Sequence, residues 1–156
     1  MGRRLLVLAL VGGALTAPAA LADGDPASDV LYTADVYFPY TPATAAPLRH
    51  RLVRLLRRHR TAGYPVKVAL IQTPADLGAY PTLFRQPQRY AELLQSEITF
   101  GDRHPHVLVV MPNGFGGRHL PPGWRRRLRD VRIARTAKAD GLAAAAIRAV
   151  RLLPPP

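Results

Sequence analysis

Two short segments of the chain are rich in apolar residues, and they constrain its fold more than any other feature of the sequence. They are VKVALIQT at residues 66–73 and HVLVVM at residues 106–111. A strand reads as a continuous apolar run when both faces of its sheet are covered, which is typical of parallel sheets flanked by helices. The two segments therefore predict buried strands, and Pro74 ends the first of them.

A helical pattern precedes each of these strands. Residues 45–63 place leucines at helical spacing on one face, with Thr44 as the expected N-cap and Gly63 as the stop. A second helix is predicted over residues 87–100. Residues 30–38 are rich in β-branched and aromatic residues, which indicates an opening strand. The order strand, helix, strand, helix, strand predicts a parallel βαβαβ core with right-handed crossovers.

The pattern after residue 117 is weaker. It predicts a short helix near residues 121–130, an edge strand at 131–134 and a last helix at 140–153. The expected fold class is α/β: a three-layer α/β/α domain with a mostly parallel central sheet and a C-terminal helix. This single domain is expected to span residues 30–153, after a flexible polar leader at residues 23–29.

The amino-terminal residues have the pattern of an export signal. Arg3 and Arg4 supply the positive charge, an apolar stretch follows, and Ala20-Leu21-Ala22 is a small-x-small cleavage site. Residues 1–22 are therefore predicted to be a signal peptide, cleaved near Ala22, with an uncleaved membrane anchor as the alternative. The expected location is secreted, periplasmic or otherwise extracytoplasmic.

Composition narrows the classes of function. The chain has no cysteine, which excludes thiol catalysis, zinc–thiolate sites and disulfide bonds. An exported protein without disulfides is ordinary for a bacterium. The formal net charge is +12, and all but two of the basic residues are arginine. Such a surface attracts polyanions, which for an exported protein means envelope polymers or anionic lipid headgroups before nucleic acid.

Two longer stretches carry a family resemblance: GYPVKVALIQTPADLG at residues 63–78 and RYAELLQSEITFGDRHPHVLVVMPNGFG at residues 89–116. In the order and spacing of these elements, the chain resembles the TPM domain family over roughly residues 30–117. The resemblance implies a three-layer exported or membrane-tethered domain that some relatives use as a binding or accessory module. Relatives linked to photosystem repair have been associated with phosphatase activity and calcium. Where the family carries a Gly-Tyr-Gly-Leu-Glu type signature, this chain has Gly114-Phe115-Gly116 without a following glutamate.

The expected ligand site lies beyond the carboxyl ends of the strands, where open parallel sheets bind their ligands. The glycine-rich stretch after the third strand would let backbone amides approach an anion, with Arg118 adding charge. The favoured interpretation of Pro112-Asn113-Gly114 is nevertheless a simple turn that ends a buried strand, since Asn-Gly suits positive φ, and the ligand loop is the alternative. The candidate anion-binding residues are Asn113, Gly114, Phe115, Gly116, Gly117, Arg118, Thr73 and Tyr40.

A divalent metal, Ca²⁺ or another ion, is the alternative to a cofactor-free protein. Asp76 follows a strand end and is the best-placed carboxylate, with Asn113 and Asp35 as possible companions around the ion. The simpler interpretation is that Asp76 caps the following turn. His104 and His106, with Asp102, form a second and weaker candidate metal group.

Three hypotheses of function follow. The first is an exported, non-catalytic interaction or accessory module of the bacterial cell envelope, with an envelope protein as partner. The second is a metal-dependent, phosphatase-like hydrolase. The third is a basic binder of anionic envelope polymers or lipid headgroups, in contact with a membrane surface and without specific nucleic acid binding. Its arginines would come from residues 57–60 and 125–127, where Trp124 is the single adjoining aromatic residue.

Overall fold

The computed structural model describes residues 24–99, 104–134 and 136–153. The predicted signal peptide, residues 1–22, lies outside them. Within the described residues, no helix has both the length and the apolar character that a membrane span requires. The elements in chain order are α1 (Pro26–Thr33), β1 (Val36–Tyr37), α2 (Ala46–Thr61), β2 (Val66–Leu70), two 3₁₀ turns (Pro74–Leu77 and Pro81–Leu83), α3 (Pro87–Ile98), β3 (His106–Met111), β4 (Gly114–Arg118), α4 (Trp124–Arg127) and α5 (Ala139–Leu152).

The four strands form one sheet in the order β1-β2-β3-β4. The first three strands are parallel, and β4 pairs with β3 in the antiparallel direction. Val68 is the common register point, since it pairs with Val36 of β1 and with Leu108 of β3. The prediction of an α/β protein with a mostly parallel sheet and a C-terminal helix is therefore confirmed.

Alternate residues of the central strands enter two separate apolar clusters. Val66, Val68 and Leu70 of β2 pack with residues of α2 and α5. Ala69 and Ile71 pack with residues of α1 and α3. Successive side chains of a strand point to opposite faces, so each face of β2 has its own apolar partners. This double burial is the reason that β2 and β3 read as continuous apolar runs.

The start of the domain differs from the prediction. Residues 30–38 were expected to be a strand, but only Val36–Tyr37 forms one, and helix α1 precedes it. Asp25 caps α1 by accepting a hydrogen bond from the Ala27 amide at 3.1 Å. Both of these residues are buried, so the part of the predicted leader that the structure describes belongs to the folded domain. The β-branched and aromatic residues had suggested a strand, whereas the Asp25-Pro26 pair is an N-cap followed by a proline at the first helical position.

The second edge of the sheet also differs. An edge strand was predicted at residues 131–134, but these residues do not form a strand. The edge strand of the sheet is β4, which lies within the stretch predicted as a loop. Three of the five β4 residues are glycine, which has low strand propensity and gave no strand signal. The turn interpretation is supported for Pro112 and Asn113 alone, because Met111 already pairs with Gly114 across them.

Candidate functional site

A cleft of about 570 Å³ lies at the carboxyl end of β3, beside the Pro112–Asn113 turn. The turn brings three of the predicted ligand residues, Asn113, Gly114 and Phe115, to the wall of the cleft. The other lining residues come from the segment before α3 and from the segment that follows α4. The cleft is lined by Arg85, Pro112, Asn113, Gly114, Phe115, Leu128, Arg129, Val131 and Ile133.

Arg85 is held at the cleft by an unusual backbone conformation. Its φ is 65°, in the left-handed region that residues other than glycine rarely adopt. The Asn113 side-chain amide donates a hydrogen bond to the Arg85 carbonyl at 2.7 Å. This bond joins the β3–β4 turn to the segment before α3, so Asn113 positions one wall of the cleft. Strained backbone of this kind concentrates at functional sites.

The cleft combines positive charge with an apolar floor. Leu128 is buried in the core, and Phe115, Val131 and Ile133 pack against the same cluster while remaining partly exposed. Arg85 and Arg129 are exposed at the rim, and neither forms an ion pair within the described residues. No lining residue is Asp or Glu. Such a surface suits a ligand with a negative group next to an apolar group, because arginine pairs well with planar carboxylates.

Gly116 and Gly117 do not line this cleft. A Cβ on Gly116 would lie 1.9 Å from the Pro87 carbonyl oxygen, so glycine is needed for β4 to approach α3. The Gln88 side chain hydrogen-bonds both backbone groups of Gly117, accepting from its N–H and donating to its carbonyl, each at 3.2 Å. These glycines therefore serve the packing of the edge strand against α3, and the Gly117 amide already has a partner.

The remaining predicted anion ligands are dispersed. Arg118 pairs with Val107 at the start of β3, at the opposite end of β4 from the Asn113 turn. At roughly 3.3 Å per residue, the backbones of Asn113 and Arg118 are about 16 Å apart. Tyr40 follows β1, is exposed, and its ring meets that of Tyr37 edge to face at 5.9 Å. The structure thus groups Asn113, Gly114 and Phe115 and separates them from Arg118.

Asp76 and Thr73 form a cap. Asp76 is buried, and one carboxylate oxygen accepts hydrogen bonds from the Thr73 amide at 2.8 Å, the Thr73 hydroxyl at 3.2 Å and the Gln72 amide at 2.9 Å. This is the capping arrangement at the start of the 3₁₀ turn Pro74–Leu77. All three donors bind the same carboxylate oxygen, so the capping role expected for Asp76 accounts for these contacts.

The other candidate metal residues lie elsewhere. Asp35 forms ion pairs with Arg60 at 2.9 Å and Lys67 at 3.5 Å. The His104 ring stacks on that of His119, with centroids 5.4 Å apart, and His106 Nδ1 contacts the His119 carbonyl. Asp102, the predicted companion of the histidines, lies outside the described residues. Within the described ranges, no three His, Cys, Asp or Glu side chains are arranged to hold a metal ion.

A buried pair that the sequence did not indicate joins α1 to α3. The Tyr90 hydroxyl donates to the Asp25 carboxylate, with distances of 2.6 and 2.8 Å to the two oxygens. Burial raises the pKa of Asp25 to about 6, with a further contribution from the charge of Glu97. Burial also raises the pKa of Tyr90 far above its ordinary value, so this hydroxyl keeps its proton and acts as a donor. The two residues are 65 positions apart in sequence. The Asp-Pro helix cap is a sequence signal for Asp25, but no signal indicated Tyr90 as its partner.

Comparisons with known proteins give no relative for this chain. No protein-family model matches it, and no significant match was found among curated proteins or solved structures. The candidate site is therefore judged on its geometry alone.

Proposed function

We propose that this protein is an exported, non-catalytic binding module of the bacterial cell envelope. Its recognition site is the cleft beside the Pro112–Asn113 turn. The ligand is a segment of an envelope protein in which a carboxylate stands next to an apolar side chain. The carboxylate meets Arg85 and Arg129 at the rim, and the apolar side chain rests on Phe115 and its neighbours.

The observation that carries this proposal is the composition of the cleft wall. Among the residues that the structure describes, two arginines without carboxylate partners border an apolar floor, and the wall has no acidic residue, serine or histidine. A hydrolase would need a nucleophile or a general base within reach of the substrate. The hydrolase hypothesis required Asp76 beside Asn113, but Asp76 is held in its cap and is not among the lining residues. The cleft therefore favours binding over catalysis.

We propose further that the domain has the three-layer arrangement expected of a TPM-type module. The two apolar clusters support it, because α2 and α5 belong to one and α1 and α3 to the other. The proposal that the protein is exported rests on its amino-terminal positive charge, the apolar stretch and the small-x-small cleavage site.

The proposal is tested by titrating residues 23–156 with two short acetylated peptide amides, Phe-Glu-Leu and Phe-Gln-Leu, followed by amide NMR shifts. The acidic peptide should shift residues 113–115 and 128–133 and bind up to about fivefold more tightly, since an exposed ion pair contributes up to about 1 kcal/mol. The variant with Arg85→Asn and Arg129→Gln should lose this preference. Equal binding of both peptides would contradict a carboxylate site.

Hydrolysis is tested in parallel with p-nitrophenyl phosphate in millimolar Ca²⁺ or Mg²⁺. We expect p-nitrophenol to be released at the same rate with and without the protein. The natural chain and Asp76→Asn should give the same rate. A turnover that Asp76→Asn abolishes while the fold is retained would replace the binding module with the hydrolase.

A further inference from the structure

Helix α2 is unusually basic along its whole length. Its 16 residues include six arginines and no acidic residue. Arg60 is paired with Asp35, and Arg49 lies over the Phe38 ring. The remaining four, Arg51, Arg54, Arg57 and Arg58, are exposed.

Three of these arginines converge with a fourth from α5. Positions 51, 54 and 58 follow the three-to-four-residue spacing that places side chains on one helical face. Because α2 packs against α5, that face meets Arg151 in the last turn of α5. Together with Leu55, the four arginines line a groove of about 190 Å³.

Part of the positive charge in the groove has no evident role in stabilising the fold. Arg58 and Arg151 stand in the last turns of their helices, where a cation offsets the negative end of the helix dipole. Arg51 and Arg54 lie further from the end and have no such role. None of the four guanidinium groups has a carboxylate partner within the described residues. Four like charges in one groove repel each other until an anion enters.

We propose that this groove is a second binding site, specific for a free oligophosphate chain. Guanidinium groups bind phosphate oxygens in pairs through parallel hydrogen bonds, and four of them match several adjacent phosphates better than one carboxylate. The groove has about a third of the volume of the first cleft, which fits a narrow, highly charged ligand. The site shares no lining residue with the first cleft, so it is independent of the function proposed above.

The test is calorimetric titration of residues 23–156 with sodium tripolyphosphate at constant ionic strength. Arg54→Gln with Arg58→Gln is the test variant. Arg57→Gln with Arg127→Gln is the control, since it removes the same charge from exposed residues outside the groove. We expect affinity to fall at least tenfold in the test variant and less than threefold in the control.

Equal losses in the two variants would overturn the proposal, because they would indicate a general charge effect. The absence of heat with the natural chain would overturn it as well. A parallel flotation assay with vesicles of phosphatidylglycerol and phosphatidylcholine separates the two sources of phosphate. Vesicle binding that requires Arg54 and Arg58, without tripolyphosphate binding, would assign the groove to a lipid surface instead. Arg85→Asn should leave tripolyphosphate affinity unchanged.

Discussion

At the scale of single residues, Arg85 is the clearest case of backbone strain beside the proposed site. A left-handed conformation costs an ordinary residue roughly 1 kcal/mol, and asparagine tolerates it better. We therefore expect Arg85→Asn to leave the free energy of unfolding unchanged or to raise it by up to about 1 kcal/mol, while weakening acidic-peptide binding. Urea unfolding together with the NMR titration checks this. Arg129 does not have a left-handed φ, so Arg129→Gln should weaken binding with no gain in stability.

Gly116 tests how closely β4 approaches α3. A methyl group would overlap the Pro87 backbone, which cannot turn aside as a long side chain can. We expect Gly116→Ala to lower the free energy of unfolding by about 3 kcal/mol, at the upper end of overpacking costs. Gly24→Ala is the control, since its Cβ would meet Asp29 at an ordinary 3.6 Å. Similar urea midpoints for the two variants would contradict the close approach.

The Asp25–Tyr90 pair makes stability depend on pH. Burial raises the pKa of Asp25 from 3.8 to about 6, so with increasing pH the unfolded chain loses this proton first. The contribution of Asp25 to the free energy of unfolding should therefore fall between about pH 4 and pH 6 and then stay level. A carboxyl resonance of Asp25 that titrates near pH 4 would contradict this.

Replacing the Tyr90 hydroxyl should have a pH-dependent effect. The hydrogen bond from Tyr90 lowers the pKa of Asp25 against the effect of burial, so it favours the charged form. We expect Tyr90→Phe to cost roughly 1.5–3 kcal/mol at pH 7 and about 1 kcal/mol at pH 4. Urea unfolding at the two pH values gives the comparison. Tyr64→Phe is the control, since the buried Tyr64 hydroxyl has no hydrogen-bond partner in the structure.

At the scale of elements, α2 begins with a cap from a distant part of the chain. Thr44 was predicted as the N-cap of α2, but the N-cap is Ala45. The Thr44 hydroxyl is buried and has no hydrogen-bond partner among the described residues. The Asp140 carboxylate of α5 instead accepts from the Ala45 amide at 2.7 Å. The sequence could not reveal this cap, because its two residues meet only after α5 packs on α2.

We expect Asp140→Ala to lower the free energy of unfolding by about 1 kcal/mol, the usual cost of a lost helix cap. Thr44→Val should cost less, since it removes a hydroxyl that makes no bond. Thermal unfolding of both variants decides which residue caps α2. A larger loss in Thr44→Val would restore Thr44 to that role.

The elements that the sequence predicted well have strong periodic or apolar signals. Strand β3 has the predicted bounds, and α5 is within one residue of them, because each segment packs a continuous apolar pattern. Helix α1 was missed because Val30 and Tyr32 favour strands locally, whereas packing on α3 favours a helix. Strand β4 was missed because glycine gives no strand signal, and Gly116 is required by a close approach to Pro87 that exists only in the folded chain.

At the scale of the whole molecule, the sheet rule located one part of the candidate site. Asn113, Gly114 and Phe115 lie at the carboxyl end of β3, as the position of ligand sites in parallel sheets predicts. Arg85 and Arg129 supply the charge, and their role could not be predicted because they come from segments without a motif. Arg118 was expected beside Asn113, and the antiparallel turn carries it to the other end of the sheet.

The cleft at Asn113 is proposed to bind an envelope protein. The most direct measurement is photo-crosslinking in the bacterial envelope, with p-benzoylphenylalanine placed at Asn113 in the full chain and, as a control, at the exposed Arg57. We expect a defined protein adduct from position 113 that disappears when Arg85→Asn and Arg129→Gln are combined. The same adduct from position 57, or an adduct at 113 that survives loss of both arginines, would contradict it.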